Sequence, residues 1–182
     1  MDYGDAWIIT GVMLGEYLGN ARGEPVTIAL TPAGAIPYYS KLRTIDMLGL
    51  NDRRVAENGL HAPQNAAGHQ LVAPISYLRD RGVNLLLGHP ATYDTAADPR
   101  VYLEKAISRV AFMSEANIRQ LSPVVRIVEI PVLKNKKIVA VYLNDHEHID
   151  RLITTGTFRS YQVEIMESHT RKTFHKTAAV LE

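Results

Sequence analysis

The sequence predicts an α/β domain of three layers, with a mostly parallel but mixed sheet, helices on both faces and a C-terminal β-hairpin. Three observations carry that expectation. Between residues 5 and 87, short runs of β-formers alternate with stretches whose apolar residues follow helical spacing, the signature of a sheet with helices laid on it. Two strand-sized apolar runs, Val124 to Pro131 and Lys136 to Leu143, then follow each other across a short turn, which reads as a hairpin and makes the sheet mixed. The length, 182 residues with 46% apolar and 21% charged, suits one domain with a sizeable core and is short for two.

Asp5 to Leu18 reads as the first helix, because Trp7, Gly11, Leu14 and Leu18 share one face, with Asp5 as N-cap and Gly19-Asn20 as the stop. Gly11 and Gly15 lower helix propensity by up to about 1 kcal/mol each, so they are expected where another element packs closely. Arg22 to Pro25 is a turn, and Val26 to Leu30 a buried strand. Thr31 to Gly34 ends that strand, and Ala35 to Ser40 is a short helical segment. Arg43 to Leu48 is the second strand and Gly49 to Asp52 a turn into a helix starting near Arg53, with Asn51 or Asp52 as its cap.

Asn58 to Gly68 is loop-like. Ala73 to Arg81 reads as a helix with Gly82 behind it, delivering the chain into a third strand, Val83 to Leu87. His89 to Arg100 has no expected regular structure. Ile107, Val110, Ala111, Ser114, Ile118 and Leu121 follow helical spacing, with a break at Ser114 where Ser-Glu-Ala suits the start of a second short helix. After the hairpin, His146 to Thr154 is a helix capped by Asn144 or Asp145, Tyr161 to Met166 is a last strand, and the basic, polar tail after His169 is expected to fray.

Composition removes several classes of function. Charge is balanced at +1 and scattered, which argues against nucleic acid as the main partner. There is no cysteine, hence no disulfide, thiolate nucleophile or cysteine zinc site. The longest apolar runs fall far short of the roughly 20 residues of a membrane helix, and the N-terminus lacks the blocks of a signal peptide. Met1-Asp2 and Leu181-Glu182 read as cloning remnants flanking a fragment of a longer protein. No phosphate-binding glycine loop, GxSxG elbow or serine-histidine-acid set is present, and no cofactor is expected.

The stretch from Ala33 to Asn58 crowds aromatic, acidic and polar groups between two buried elements. Asp46 lies in an apolar strand, where a carboxylate costs several kcal/mol unless it is paired or hydrogen-bonded. Its partner is a ligand hydroxyl, a backbone turn or Arg43. Tyr38 and Tyr39 offer flat apolar faces with a hydroxyl at the rim, suited to sugar stacking or to an interface. Asn51 and Asp52 suit hydroxyl binding, although helix capping alone accounts for them. His146 and His148 diverge at a helix start and have no third ligand at metal spacing; His69 and His89 are isolated.

The wording of three segments, AGAIPYYSKLRTIDMLGLNDRRVAEN, GHQLVAPISYLRDRGVNLLLGHP and KIVAVYLNDHEHID, resembles the soluble C-terminal domain of bacterial membrane glycosyltransferases of the GT-C type, the terminal arabinofuranosyltransferase-like proteins of cell-envelope synthesis. The resemblance implies an extracytoplasmic module on the periplasmic or extracellular face of the inner membrane. In such proteins it follows a bundle of membrane helices, and the catalytic acid lies between those helices. It therefore implies no catalytic residue here. The expected partners are the membrane domain of the same chain and an acceptor glycan, contacted through Tyr38, Tyr39, Asp46, Asn51 and Asp52. A self-contained hydrolase using Asp46 with His69 or His89, or a purely structural domain, are the alternatives.

Overall fold

The computed structural model describes residues 3–62, 70–98, 115–170 and 173–181. The helices are α1 (Tyr3–Leu18), α2 (Ala35–Ser40), α3 (Arg53–Asn58), α4 (Ile75–Asp80), α5 (Glu115–Gln120) and α6 (Glu147–Thr154). The strands are β1 (Thr27–Leu30), β2 (Arg43–Asp46), β3 (Leu60–His61), β4 (Leu71–Val72), β5 (Leu85–Gly88), β6 (Tyr93–Asp94), β7 (Val124–Leu133), β8 (Lys136–Tyr142), β9 (Arg159–Thr170) and β10 (Thr173–Leu181). Eight strands form the main sheet in the order β10-β9-β7-β8-β5-β1-β2, with β6 added to β8, while β3 and β4 pair separately.

Period-2 alternation along the strands sends neighbouring residues into two different cores. On one face, Ile28, Leu30, Leu85 and Leu87 pack with Leu14 and Leu18 of α1, Ile36 of α2 and Ile149 of α6. On the other, Ala29, Leu86, Ile127 and Val139 pack with Val55 of α3, Tyr77 and Leu78 of α4, and Leu121 just after α5. The result is a three-layer α/β fold with a mixed sheet and helices on both faces, as the sequence predicts. Among the described residues, no helix is long and apolar enough to cross a membrane.

The parallel share is smaller than expected: among the described residues only β1 with β2 and β1 with β5 are parallel, whereas β5 with β8, β7 with β8, β7 with β9, β6 with β8 and β9 with β10 are antiparallel. Parallel neighbours need a helical crossover. Among the described residues, helical crossovers join the strands only up to β5, while β7 turns directly into β8 and the short helix α6 leads from β8 back to β9. The tail expected to fray is strand β10, because β9 runs on past Glu164, the end of its pairing with β7, and β10 supplies the missing ladder partners from Gln162 to Thr170. The two loops expected to lack regular structure contain β3 and β6, two-residue strands too short to show any period. The cap of α6 is His146, whose side chain accepts the His148 amide, while Asn144 instead donates to the carbonyls of Arg79 and Val83. Residues 107, 110, 111 and 114 of the expected helix lie outside the described residues, as do Met1, Asp2, His69 and Glu182; α5 begins immediately after Ser114.

Candidate functional site

Gly11 and Gly15 set the position of α2. A methyl group on Gly11 would lie 2.9 Å from the Ile36 carbonyl oxygen and from Tyr39 Cβ, and one on Gly15 would lie 2.9 Å from the Ser40 carbonyl oxygen. The two glycines thus admit the α2 backbone against α1, as expected of packing glycines. With Ile36 and Ser40 turned inward, the outward face of α2 is left to Tyr38, 65% exposed, and Tyr39, 42% exposed. The two rings together put a small apolar patch on the surface.

The two rings meet edge to face, with centroids 5.1 Å apart. Lys41 Nζ stands 4.1 Å from the Tyr38 centroid, a cation–π contact worth about 0.5–1 kcal/mol at an exposed site. Among the described residues Lys41 is the one non-glycine with positive φ, at 58°. It occupies the left-handed position after a helix that glycine usually takes, at a cost of about 1 kcal/mol.

Asp46 ends β2 almost fully buried. Its Oδ1 accepts the Leu48 amide at 3.0 Å and its Oδ2 the Asn51 amide at 2.8 Å. Of the three partners open to it from sequence, the backbone turn is the one it meets. That turn leaves Leu50 65% exposed and the Asn51 side chain facing solvent.

Asp52 caps α3, its Oδ1 accepting the amides of Arg54 and Val55. Its Oδ2 accepts the Tyr77 hydroxyl at 2.8 Å. Burial, and then the Asp52 carboxylate beside it, push the Tyr77 hydroxyl above its ordinary pKa. Arg54 lies over the Tyr77 ring at 5.2 Å, and a cavity of about 140 Å³ opens beside them, lined also by Asn58, Ser76 and Asp80.

The five expected residues therefore fall into two groups, the tyrosine pair against α1 and the Asp46–Asp52 turn against α4. Among the described residues, no hydrogen bond or ring contact links the two. His89 Nδ1 lies 3.0 Å from Thr31 Oγ1 and its ring meets Trp7 edge-on, and among the described residues no hydrogen bond joins it to Asp46. His146 and His148 each hold a backbone carbonyl, of Glu24 and Tyr17 respectively. Among the described residues, no three His, Cys, Asp or Glu side chains are arranged to hold a metal ion.

Sequence reasoning passed over a further polar centre. Lys137 and Glu129, on β8 and β7, form an ion pair of 2.8 Å with side chains 5% and 3% exposed. They are eight residues apart, and only the hairpin register brings them together.

Fold and surface define a class: a three-layer α/β domain with an exposed aromatic pair and a capped polar turn. The chain belongs to the family described as a domain of unknown function (DUF8728), whose model matches residues 8–166. No curated protein and no solved structure matches it.

Proposed function

We propose that this chain is the extracytoplasmic accessory domain of a membrane glycosyltransferase of cell-envelope glycan synthesis, on the periplasmic or extracellular face of the bacterial inner membrane. It contacts an acceptor glycan or braces the membrane domain of the same polypeptide, and contributes no catalytic residue. The observation that carries this reading is the exposed Tyr38–Tyr39 pair with Lys41 over it, inside the segment that carries the resemblance. Flat aromatic faces with a rim hydroxyl suit the CH faces of a sugar ring, and the ammonium of Lys41 donates to hydroxyls. Leu50 and Asn51 are exposed on the separate Asp46–Asp52 turn. Asp46 acts by shaping that turn, and Asp52 by fixing α3 to Tyr77. No described geometry favours a hydrolase built on Asp46 and His89.

Two measurements test it. The reading frame upstream of Tyr3 is expected to encode several apolar stretches of about 20 residues; a start codon near Met1 with nothing hydrophobic before it overturns the membrane placement. An arabinofuranose-containing oligosaccharide, titrated into the domain, is expected to shift the NMR signals of Tyr38, Tyr39 and Lys41. Tyr38→Ala is expected to weaken binding about tenfold, the equivalent of about 1.4 kcal/mol. A response that ignores this substitution removes the tyrosine pair from the glycan site and leaves bracing as its role.

A further inference from the structure

We propose that the cavity around Glu129, Lys137 and Arg159 is a binding site for a small hydroxylated carboxylate. The inference stands apart from the glycan reading, because it uses the opposite face of the sheet from α2.

Along β7, β8 and β9 one face of the sheet is apolar at Val125, Ile127, Val139, Val141 and Val163. The same face continues into Glu129, Pro131, Lys137 and Arg159, since side chains two residues apart share a face and Glu129 pairs with Arg159 while Pro131 pairs with Lys137. Where the apolar cover ends, a cavity of about 190 Å³ opens, walled by Thr95 and by Gly156 and Thr157 after α6. That is about six times the volume of a water molecule in the liquid.

Lys137 Nζ donates to Glu129 Oε1 at 2.8 Å and faces the carbonyls of Thr95 and Ala97 at 3.4 and 3.5 Å. Among the described residues, Glu129 Oε2 has no donor, although the side chain is 3% exposed and lines the cavity. A buried carboxylate oxygen left without a partner is costly. A buried ion pair also adds little stability compared with an apolar pair of the same volume. Stability alone therefore does not account for the pair, and a ligand that donates a hydrogen bond to Oε2 does.

The second half of the chemistry comes from Arg159. Arg159 lines the same cavity and makes no ion pair among the described residues. Planar and always charged, its guanidinium suits a carboxylate held by two parallel hydrogen bonds. Among the described lining residues, Glu129 is paired with Lys137, which leaves the charge of Arg159 for the ligand. A ligand with one negative charge and an adjacent hydroxyl completes the cavity: the carboxylate on Arg159 and the hydroxyl on Glu129 Oε2.

The test titrates the whole chain with D-glucuronate, D-glucose and inorganic phosphate, reading backbone amide shifts. Glucuronate is expected to give saturable shifts at Thr95, Gly156, Thr157 and Arg159, and to bind at least about tenfold tighter than either control, the margin of one charge-assisted contact. Arg159→Ala, on an exposed side chain, is expected to weaken glucuronate about tenfold with an unchanged melting temperature. Glu129→Gln alone strands the Lys137 ammonium, so the second variant is Glu129→Met with Lys137→Met, which keeps the volume and is expected to remain folded and lose binding. Tyr38→Ala is expected to change none of this. Absence of saturable shifts, equal binding of glucose or phosphate, or glucuronate binding that survives either variant overturns the proposal.

Discussion

Replacing Asp46 by Ala leaves the amides of Leu48 and Asn51 without the carboxylate that accepts both, and Leu48 is buried. Charge-assisted bonds to a buried acceptor are worth about 1.5–3 kcal/mol. Asp46→Ala is therefore expected to lower stability by about 2 kcal/mol in urea unfolding; a loss below about 0.5 kcal/mol would mean that the turn holds without it. Tyr142 makes a comparable double contact, its hydroxyl accepting the His146 amide at 2.6 Å and donating to the His146 carbonyl at 3.1 Å. Burial pushes this hydroxyl up to about 12, with the bond to the His146 backbone opposing the shift and the Asp150 carboxylate adding to it. The folded value lies above the unfolded value near 10, so the unfolded chain gives up the proton first. The stability this group contributes is thus complete below pH 10 and is lost as pH rises towards 12. Tyr142→Phe is expected to unfold more readily at pH 7, by about 1–3 kcal/mol for the stranded amide, and to show a flatter alkaline limb in melts taken from pH 9 to 12. An alkaline limb identical to that of the parent would assign the titration to another group.

At the scale of elements, the contact between α1 and α2 decides where the tyrosine pair points. Alanine favours a helix over glycine by up to about 1 kcal/mol, yet a methyl on Gly15 would press against the Ser40 carbonyl oxygen at 2.9 Å, and overpacking of that kind costs about 1–3 kcal/mol. Gly15→Ala is expected to lower the melting temperature, and Gly4→Ala, with open space around its methyl, to hold or raise it. A rise in both would show that α2 does not lie as close as its backbone indicates. The elements from α1 to α3 were legible to within about three residues, because proline, glycine and capping residues punctuate runs of clear period. Strands β3 and β6 were not, since two residues carry no period and the pairing partner alone makes them strands. The register of the hairpin was equally hidden, and with it the Glu129–Lys137 pair. Asp52 was readable as a cap, but its partner Tyr77 lies 25 residues away on a helix whose docking no local pattern announces. The close approach of α2 to the two glycines of α1 is a relation between elements that propensity does not encode.

On the scale of the whole molecule, the question is whether the two cores melt together. Leu85 and Leu86 are neighbours on β5, both fully buried, the first packed beneath α1 and the second beneath α4. Strand β5 lies between parallel β1 and antiparallel β8, so it ties the crossover half of the sheet to the hairpin half as well as one layer to the other. A strand in that position cannot lose one face without loosening the ladder that the other face needs, and the two cores should act as one cooperative unit. Leu85→Ala and Leu86→Ala are each expected to cost about 2–5 kcal/mol. Each should displace a single transition, seen at the same denaturant concentration by Trp7 fluorescence, which reports the α1 side, and by far-UV circular dichroism, which reports the whole chain. Separation of the two signals in either variant would show that the layers unfold independently. In that event the α1–α2 unit bearing Tyr38 and Tyr39 would melt apart from the sheet beneath it.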